Sequence, residues 1–506
     1  MSVFLRRSCG AALAYTIATQ GAWADLTAND VWVDWQSYFQ SMGYTITGDE
    51  SSAGDVTTIA NMTVLMDLPE DEAEFSMMMP EVTLTENGDG TVSIGFPESF
   101  PLTLSGTAED EVFSVDLVYS QTDLDMVVSG TPEDMTYDYS ASQLSVAIEE
   151  LEAGDEALPA DAFDVQFDMV DVTGSSRMLI GEDRTIAQTL EAAELSYNIA
   201  FEDPELGDSG LFVGQLNDLT FEGDNVLPSG LDLSDPSAFY TSGFEFDGEF
   251  TYGSGETNVS GVAEGSEFTM ASSSEGGRFA ASMDAESLAY DLEQNKTQMA
   301  VTTADLPFPL ELAMEKAGLK LDIPVQPSDE VKPFGFAMNL TDFTMSDVLW
   351  SMFDPAGTLP RDPATIALDT SGTAKVLMNI FDPEQAAALE SSDELPAELH
   401  SLTINELLVS LVGARLSGDG DFAFDNENTQ EFGMPAPSGV ANLELVGANA
   451  LIDKLIGMGL VSENDALGAR MMMGMMAVPG DEPDTLTSKI EFTEDGQILA
   501  NGQRIK

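Results

Sequence analysis

From Tyr44 onward, hydrophobic and polar residues alternate along the chain, and this pattern predicts a protein built largely of β-strands. Successive side chains of a strand point to opposite faces, so a two-residue period indicates one buried face and one solvated face. In Phe244–Tyr252, for example, aromatic residues occupy even-numbered positions and acidic residues lie between them. The strands predicted in this way in the first half of the chain are Val56–Met66, Glu81–Thr85, Thr91–Phe96, Leu102–Ser105, Val112–Ser120, Leu124–Ser129, Met135–Tyr139, Leu144–Glu149, Ala162–Val172, Leu195–Phe201 and Phe212–Phe221.

The second half continues with longer strands that are separated by short helices. Its predicted strands are Phe334–Leu340, Ala364–Asn379, Ser401–Val412, Ala414–Phe424, Gly439–Val446, Thr485–Thr493 and Gln497–Ile505. Asn87–Gly90 and Asp495-Gly496 have the composition of tight turns between paired strands. Loops are predicted at Leu151–Ala160, Val226–Pro236, Gly253–Gly265, Ser272–Gly277 and Pro324–Pro333.

Helical periodicity is limited to a few short segments. Asp30–Met42 carries its apolar residues on one face, with Thr27 or Asn29 as the N-cap and Gly43 at its C-terminal end. That face predicts a helix packed on the sheet, and it consists of Val31, Trp35, Tyr38, Phe39 and Met42. Further helices are predicted at Ser346–Phe353, Asp382–Ser391, Ala448–Leu460, Glu463–Met476 and, with a weaker apolar stripe, Thr185–Glu194.

Together these elements predict a β-rich α+β fold, an extended and curved antiparallel sheet that carries short helices on one face and at its ends. A single elongated region would span residues 25–506. A subdivision near residues 301–312 is possible, because Asp305–Pro309 interrupts the strand pattern there. The cadence of a strand followed by a short helix recurs in the second half, but its spacing is too irregular to predict a solenoid.

Residues 1–24 have the parts of a secretory signal peptide, and cleavage is predicted after Ala24. Arg6 and Arg7 supply the positive end, Cys9–Thr19 is mostly small and apolar, and Ala22–Ala24 offers a cleavage site. The segment contains no acidic residue, although the chain has 90 of them. A short buried helix and a lipoprotein signal at Cys9 are the alternative interpretations. The mature protein is expected in the periplasm or outside the cell.

The chain has 90 acidic and 17 basic residues, and its net charge of −73 argues against nucleic acid as a partner. Such a surface repels phosphate backbones and anionic lipid headgroups, and its ordinary explanation is solubility in a salty or divalent-rich medium. After the signal peptide, no stretch approaches the roughly 18 apolar residues of a transmembrane helix. Cys9 is the only cysteine, so the mature chain has no disulfide and must be stabilised by burial.

Candidate chemistry is sparse, and the sequence predicts no catalytic residue, no cofactor and no metal site. His400 is the only histidine, and its place between a helix end and a strand indicates a surface or turn residue. One histidine and no cysteine in the mature chain exclude structural zinc and cysteine-protease chemistry in practice. A serine hydrolase that uses His400 stays formally open, although no Gly-x-Ser-x-Gly, phosphate-loop or dinucleotide motif is present.

Acidic residues and methionines leave further possibilities. Paired carboxylates could form a glycosidase site, but the few tryptophans are a poor supply of sugar-stacking rings. Calcium could bind Asp-rich turns, although none follows the twelve-residue loop order, and a plain hairpin turn is the favoured interpretation. Those turns are Asn87–Gly90, Ser417–Asp421 and Asp425–Asn428. The methionine runs Met77–Met79 and Met471–Met476 could form an adaptable surface, but core packing under the sheet is favoured.

Several turn and packing motifs together resemble one family. They are Asp30–Trp35, Val348–Pro355 with Leu359–Ala364, Val412–Gly420, and the closing segment from Asp495-Gly496 to Asn501-Gly502. With these motifs the chain is similar to the exported alphaproteobacterial proteins of domain-of-unknown-function family 2125. The resemblance implies kinship over essentially the whole mature chain but no chemistry. In layout alone, the chain also resembles AsmA-like envelope proteins, whose long curved sheets are associated with lipid handling.

Three functions are compatible with these observations. The first is a structural or interaction role in the cell envelope, without enzymatic activity and with an envelope protein as partner. The second is binding or transfer of a lipid-like or other hydrophobic ligand along an apolar groove of the sheet. The third, a carboxylate-based hydrolase, requires two buried acids that face each other in a cleft. The sequence favours a protein that is not an enzyme and leaves ligand, partner and oligomeric state open.

Overall fold

The computed structural model confirms the β-rich α+β class, with 66% of the chain in strands and 12% in helices. The residues it describes are 25–67, 73–108, 111–153, 156–157, 163–203, 207–231, 238–304, 306–379, 382, 385, 389, 395–429 and 435–505. The strands of these residues form one large antiparallel sheet. Residues 1–24 lie outside the described part, so the signal peptide stays a prediction.

The strands are numbered in chain order, and several are longer than the sequence pattern predicted. They are β1 (Thr45–Ala53), β2 (Val56–Asp67), β3 (Ala73–Glu86), β4 (Val92–Gly95), β5 (Ser99–Ala108), β6 (Glu111–Thr122), β7 (Asp125–Thr131), β8 (Asp134–Ala153), β9 (Glu156–Ala157), β10 (Phe163–Ile180), β11 (Arg184–Glu202), β12 (Ser209–Leu227), β13 (Glu245–Tyr252), β14 (Ser254–Ala263), β15 (Ser266–Ser274), β16 (Gly277–Met283), β17 (Ser287–Thr303), β18 (Leu310–Pro324), β19 (Lys332–Met345), β20 (Ala364–Val376), β21 (Ala397–Leu411), β22 (Ala414–Thr429), β23 (Pro435–Val446), β24 (Val478–Pro479), β25 (Thr485–Phe492), β26 (Ile498–Ala500) and β27 (Gln503–Arg504).

Short helices accompany the sheet, and most of them lie where the sequence predicts. They are α1 (Ala28–Ser41), α2 (Ala238–Thr241), α3 (Asp347–Phe353), α4 (Ala448–Gly457) and α5 (Glu463–Met476). The predictions for α1, α3, α4 and α5 are confirmed to within a few residues at each end. Ser462 caps α5 by accepting the backbone N–H of Asp465. The helix predicted at Asp382–Ser391 lies largely outside the described residues.

Most strands pair with their neighbours in sequence, so the sheet is a long antiparallel meander. At two places, however, a long strand faces two shorter strands that lie end to end. Strand β3 pairs with β4 and β5, these pair with β7 and β6, and both of those pair with β8. The strands from β12 to β17 repeat this arrangement. The hairpin predicted at Asn87–Gly90 joins β3 to β4 and is confirmed.

A line of left-handed backbone residues crosses the sheet, and we call it the crease. Its members, each with φ between 46° and 54°, are Asn61, Asp123, Asp171, Asp218, Lys296 and Asp342. Asn and Asp adopt this conformation more readily than other residues that carry a Cβ, which explains their predominance. In β12 the pairing with β11 passes from Asn217 to Leu219, so Asp218 has no cross-strand partner there. The opposite residue of β11, Ala193, is skipped as well, so the ladder of paired residues is interrupted at Asp218 without a shift of register.

The crease reverses the phase of the side-chain alternation. In β12, the exposed positions are odd-numbered before Asp218, as at Leu211 and Val213, and even-numbered after it, as at Thr220 and Glu222. Leu211 and Val213 are apolar residues at exposed positions, but Phe212 and Leu216 before Asp218 and Leu219 and Phe221 after it all lie at the less exposed positions of the strand. A strict two-residue period would instead have placed Leu219 and Phe221 at the exposed positions.

Replacing Asp218 with valine is expected to lower the free energy of unfolding by about 1–2 kcal/mol, because β-branched side chains fit the left-handed conformation poorly. Glycine and asparagine at the same position should be tolerated within roughly 0.5 kcal/mol. Asp224→Val is the matched control, since Asp224 is also exposed in β12 but has no positive φ. Denaturant unfolding of the four variants tests this, and equal costs for the two valine variants would contradict the role of the crease.

Phase reversal also explains which local predictions are wrong. Thr185–Glu194 is not a helix but the first half of β11, whose alternation restarts with Leu195–Phe201 after the crease. The two strands predicted at Met135–Tyr139 and Leu144–Glu149 are one strand, β8, for the same reason. The segment Gly253–Gly265, predicted as a loop, is mostly the strand β14, which pairs with β12 and β15. The prediction failed because its small and polar residues do not show the alternation of a strand.

The principal hydrophobic core lies between α1 and the first strands of the sheet. Its most deeply buried members include Val31, Trp32, Ile59, Val64 and Val82. At the subdivision predicted near residues 301–312, β17 and β18 are hydrogen-bonded neighbours. A division of the chain at that point stays a prediction.

Candidate functional site: an apolar cavity under helix α1

A cavity of about 440 Å³ lies between α1 and the sheet, and its wall is mostly apolar. Its volume is within the range of pockets that bind small molecules, about 300–1,000 Å³. Aromatic rings and methionine side chains make up most of the wall, among them Trp35, Phe39, Met77, Phe100, Tyr119 and Met126. Such a wall suits a flexible apolar ligand, because thioethers adapt their shape to what they contact.

Helix α1 covers this cavity because its sequence fixes both its start and its buried face. Thr27 Oγ1 accepts the backbone N–H of Asp30, and the Asp30 carboxylate accepts the backbone N–H of Thr27, which forms a capping box. Trp32 anchors the helix in the core and is only 2% exposed. Trp35 lines the cavity and stacks on Phe96, with 6.0 Å between the ring centroids.

The cavity wall includes one half of a buried ion pair. Asp34 of α1 accepts a hydrogen bond from Arg184 Nη2 at 2.7 Å and another from the hydroxyl of Tyr137 at 3.1 Å. The guanidinium of Arg184 also lies over the ring of Tyr38, 5.0 Å from its centroid. Asp34 and Arg184 are 6% and 8% exposed, so each charge depends on the other for compensation. The pair ties α1 to β11, and Tyr137 ties it to β8.

Burial raises the pKa of four tyrosines in the cavity wall: Tyr38, Tyr119, Tyr137 and Tyr139. For Tyr38 the guanidinium of Arg184 acts in the opposite direction, but burial prevails. For Tyr137 the nearby Asp34 carboxylate adds to the effect of burial. These hydroxyls are therefore protonated and neutral at neutral pH.

Ser176 of β10 places a hydroxyl in the same wall. Its Oγ is buried and has no hydrogen-bond partner within the part of the chain that the structure describes. Ser176 lies directly opposite Tyr137 in the pairing of β10 with β8. The polar groups of the wall that lie deepest thus come from Asp34, Tyr137 and Ser176.

Beyond the cavity, one row of directly paired residues continues across the sheet, and we call it the apolar row. It crosses 16 strands, from β3 to β23, and it holds apolar or aromatic side chains at all positions except two glycines. Its members in spatial order are Leu84, Ile94, Met126, Tyr139, Gly174, Leu190, Phe221, Phe250, Phe279, Leu292, Leu319, Met338, Leu368, Leu407, Gly418 and Leu443. Because paired strands lie about 4.8 Å apart, the row is roughly 70 Å long.

The middle of the apolar row is open to solvent, whereas its beginning is closed. Phe279, Leu292 and Leu319 are 41%, 40% and 40% exposed, and they border a groove of about 450 Å³. Leu84 and Ile94, at the end near α1, are buried in the core. Met126 and Tyr139 belong both to the row and to the cavity wall. The row therefore connects the cavity with the open groove.

Glycines next to aromatic rings flatten this face of the sheet. Tyr139 lies across Gly174, where a Cβ would come within 2.4 Å of the ring. Tyr197 covers Gly214 in the same way, and a Cβ there would come within 2.3 Å of its hydroxyl. Only glycine lets a ring lie so close to the neighbouring backbone.

The structure does not place His400 where the sequence predicts it. His400 lies within β21, at a bulge opposite Thr373 and Ala374, and it is half-buried. Its Nε2 has no hydrogen-bond partner among the described residues. The interpretation of His400 as a surface or turn residue is therefore wrong, because β21 begins four residues earlier than predicted, at Ala397.

Of the three Asp-rich segments that could have held calcium, only Asn87–Gly90 is a turn between strands. A hydrogen bond from the Thr91 side chain to Asp89 lowers the pKa of that carboxyl. Ser417–Asp421 and Asp425–Asn428 lie within β22, so their prediction as turns is wrong. No group of three histidine, cysteine or acidic residues in the described ranges could hold a metal ion.

The two methionine runs have different surroundings. Met471, Met472 and Met475 of α5 are 60–65% exposed, so the prediction of core packing is wrong for this run. In the other run, Met79 belongs to the core, while Met78 is exposed because it points to the opposite face of β3.

The buried carboxylates among the described residues are Asp34 and Asp354, and each is satisfied by its own donors. Asp354 accepts the backbone N–H groups of Thr358 and Leu359 at 2.9 and 2.8 Å. The hydrogen bond from Thr358 and, after it, that from Leu359 hold the pKa of Asp354 below its usual range. Asp34 lies in the first helix and Asp354 follows α3, so these two acids belong to different parts of the fold.

Sequence analysis missed the cavity and its ion pair. The available signal was Asp34 itself, an acidic residue between Val31 and Trp35 on a helix face that is otherwise apolar. Arg184 was the second signal, since basic residues number only 17 in a chain with 90 acids.

Comparisons with known proteins give one match. A family model described as "Uncharacterized protein conserved in bacteria (DUF2125)" matches residues 195–502. The match is shorter than the resemblance implied, and α1 and most of the cavity wall precede it. Comparison with curated proteins and with solved structures found no match. Within the described ranges, each helix is too short or too polar to span a membrane.

Proposed function

The chain belongs to the DUF2125 family of bacterial proteins, and from this premise we propose that it is an exported, non-enzymatic protein that binds lipid-like molecules along the apolar row. Family membership supplies no chemistry, so the proposal rests on the geometry of the sheet. Export is part of the proposal, and it is supported by the signal-peptide pattern of residues 1–24.

The observation that carries the proposal is the half-exposed middle of the apolar row. Proteins seldom leave a long contiguous apolar patch in water unless a ligand, a membrane or a partner covers it. Here such a patch extends from the cavity under α1 into the groove beside Leu292 along paired positions. Apolar chains would gain free energy along its whole length, at about 25 cal/mol for each Å² removed from water.

The opposite face of the same strands carries charged side chains, which keep that face solvated. Asp291 and Glu293 of β17 flank Leu292 of the row but point the other way, and they pair there with Arg278, Lys316 and Lys320. Because the surface as a whole is strongly acidic, a ligand would be held by its apolar part rather than by attraction to an anionic headgroup.

A docking role without a small ligand, the first hypothesis from the sequence, is supported by a different observation. Leu467, Met471 and Met472 of α5 are 62–67% exposed, and a methionine-rich helix face can adapt to a protein partner. This face lies on α5, whereas the apolar row lies on the sheet. The two hypotheses can therefore be tested with separate variants.

Native mass spectrometry after gentle extraction is expected to detect bound lipid-like molecules on the wild-type protein. Leu319→Gln should reduce the bound mass at least several-fold, because it places an amide in the middle of the apolar row. The matched control is Lys320→Gln, whose side chain lies on the opposite face and is mostly exposed. It should leave the bound mass unchanged.

A ligand-free mass in repeated wild-type preparations would contradict the proposed function. Equal loss of ligand in both glutamine variants would contradict the assignment of binding to the apolar row.

A further inference from the structure

We propose that the cavity under α1 takes the polar end of a lipid-like molecule, that this end is uncharged and bears a hydroxyl group, and that Ser176 anchors it. This inference rests on the proposed function and adds the chemical class of the ligand to it. The apolar remainder of the molecule would extend from the cavity toward Tyr139 and Leu144, where the wall meets the apolar row.

The hydroxyl of Ser176 supplies the first argument. Ser176 is only 8% exposed, its Oγ is fully buried, and it lines the cavity without a hydrogen-bond partner among the described residues. Buried polar groups nearly always have a partner, so such a group calls for one. A ligand hydroxyl can both donate to and accept from Ser176, and it would satisfy this group without bringing in a charge.

The charges around the cavity supply the second argument, because they leave no cation free for an anionic headgroup. Arg184 already donates to Asp34 at 2.7 Å and to Met178 Sδ at 3.5 Å, and its guanidinium covers Tyr38. Among the described residues of the wall, Asp34 is the only charged one, and an anion next to it would be repelled. A cationic headgroup would have to compete with Arg184 for the same carboxylate.

The tyrosines of the wall add no charge to the cavity. Burial raises the pKa of Tyr119 and Tyr139, so neither becomes an anion that could hold a cationic ligand at neutral pH. Tyr137 lies opposite Ser176 and already donates its hydroxyl proton to Asp34, so this proton is not available to a ligand.

The test is a competition assay in which a neutral fluorescent apolar probe, N-phenyl-1-naphthylamine, is displaced from the purified protein. The competitors are a long-chain alcohol, the carboxylate of the same chain length and the corresponding alkane. The wild-type protein is expected to bind the alcohol about 3- to 10-fold more tightly than the alkane, as one net hydrogen bond would give. The carboxylate should bind at least about 10-fold more weakly than the alcohol, because its charge would be buried without a counter-ion.

Ser176→Ala should abolish the preference for the alcohol over the alkane and leave the affinity for the alkane unchanged. Ser175→Ala is the matched control, since Ser175 is the neighbouring residue and points to the opposite face of β10. Ser176→Ala removes an unpaired buried hydroxyl, so its thermal stability should not fall, and circular dichroism checks this.

The outcomes separate this inference from the function on which it rests. If all three competitors displace the probe equally, or if the carboxylate binds most tightly, the hydroxyl anchor is contradicted and ligand binding stands. Persistence of the alcohol preference in Ser176→Ala contradicts the anchor in the same way. Failure of the probe and of every competitor to bind contradicts the proposed function itself.

Discussion

Replacing Asp34 with alanine is expected to lower the free energy of unfolding by about 3–5 kcal/mol, because the charge of Arg184 would stay buried without its partner. The ion pair is both deeply buried and closely hydrogen-bonded, and these two features make the expected loss of stability large. Its two side chains are 3% and 9% exposed, and its hydrogen bond is 2.7 Å long. Denaturant unfolding monitored by circular dichroism measures the change, and hydrogen exchange shows whether α1 has detached from the sheet.

The control is the ion pair of Arg177 with Asp134, which joins β10 to β8 and lies in solvent. Its side chains are 55% and 40% exposed, so Asp134→Ala should cost less than about 1 kcal/mol. The double variant Asp34→Leu with Arg184→Met should recover most of the stability lost in Asp34→Ala, since it removes both buried charges. Similar costs for Asp34→Ala and Asp134→Ala would show that the buried pair is not an important tie between α1 and the sheet.

Replacing Trp32 with alanine should destabilise the protein by a similar amount, about 3–5 kcal/mol, because it leaves a large void in the core. Trp32 is 2% exposed and packs among the apolar residues between α1 and the first strands. Its indole Nε1 also donates to Glu50 at 2.7 Å, and that hydrogen bond would be lost. The unfolding midpoint in denaturant measures the effect.

Trp35→Ala provides the comparison on the same helix. Trp35 is only half-buried, and it lines the cavity while packing against the edge of the core, so its loss should cost less stability and should alter the binding of an apolar probe. If Trp35→Ala destabilises the protein more than Trp32→Ala does, the division of α1 into a core-facing and a cavity-facing part is wrong.

The fold class could be predicted because the same physical cause acts at nearly every strand. Alternating apolar and polar residues form strands with one buried and one solvated face. This alternation predicted most of the strands and, together with the turn residues Asn87–Gly90, one hairpin. The helices followed from their periodicity and, for α1, from the N-cap predicted at Thr27 or Asn29, which is Thr27. The crease could not be predicted, because no local pattern marks a left-handed residue such as Asp171, at which the alternation of a strand reverses.

The candidate site was beyond the reach of sequence analysis for a different reason. Tyr137 and Arg184 contact Asp34 across 103 and 150 residues of chain, and no local pattern reports a contact over such a distance. The exposure of the apolar row was equally hidden. Alternation shows that Leu292 and Leu319 share a face, but only the fold shows that this face is left half open.

The meander has a consequence for how the molecule can be assembled. Most strands pair with a strand that follows directly in sequence, so each pairing closes only a short stretch of chain. A chain delivered with its N-terminus first can nucleate on the core around α1 and then lengthen the sheet at a growing edge, one strand after another. Strand β27 spans only Gln503–Arg504, so this described edge of the sheet offers little backbone as a template for another chain.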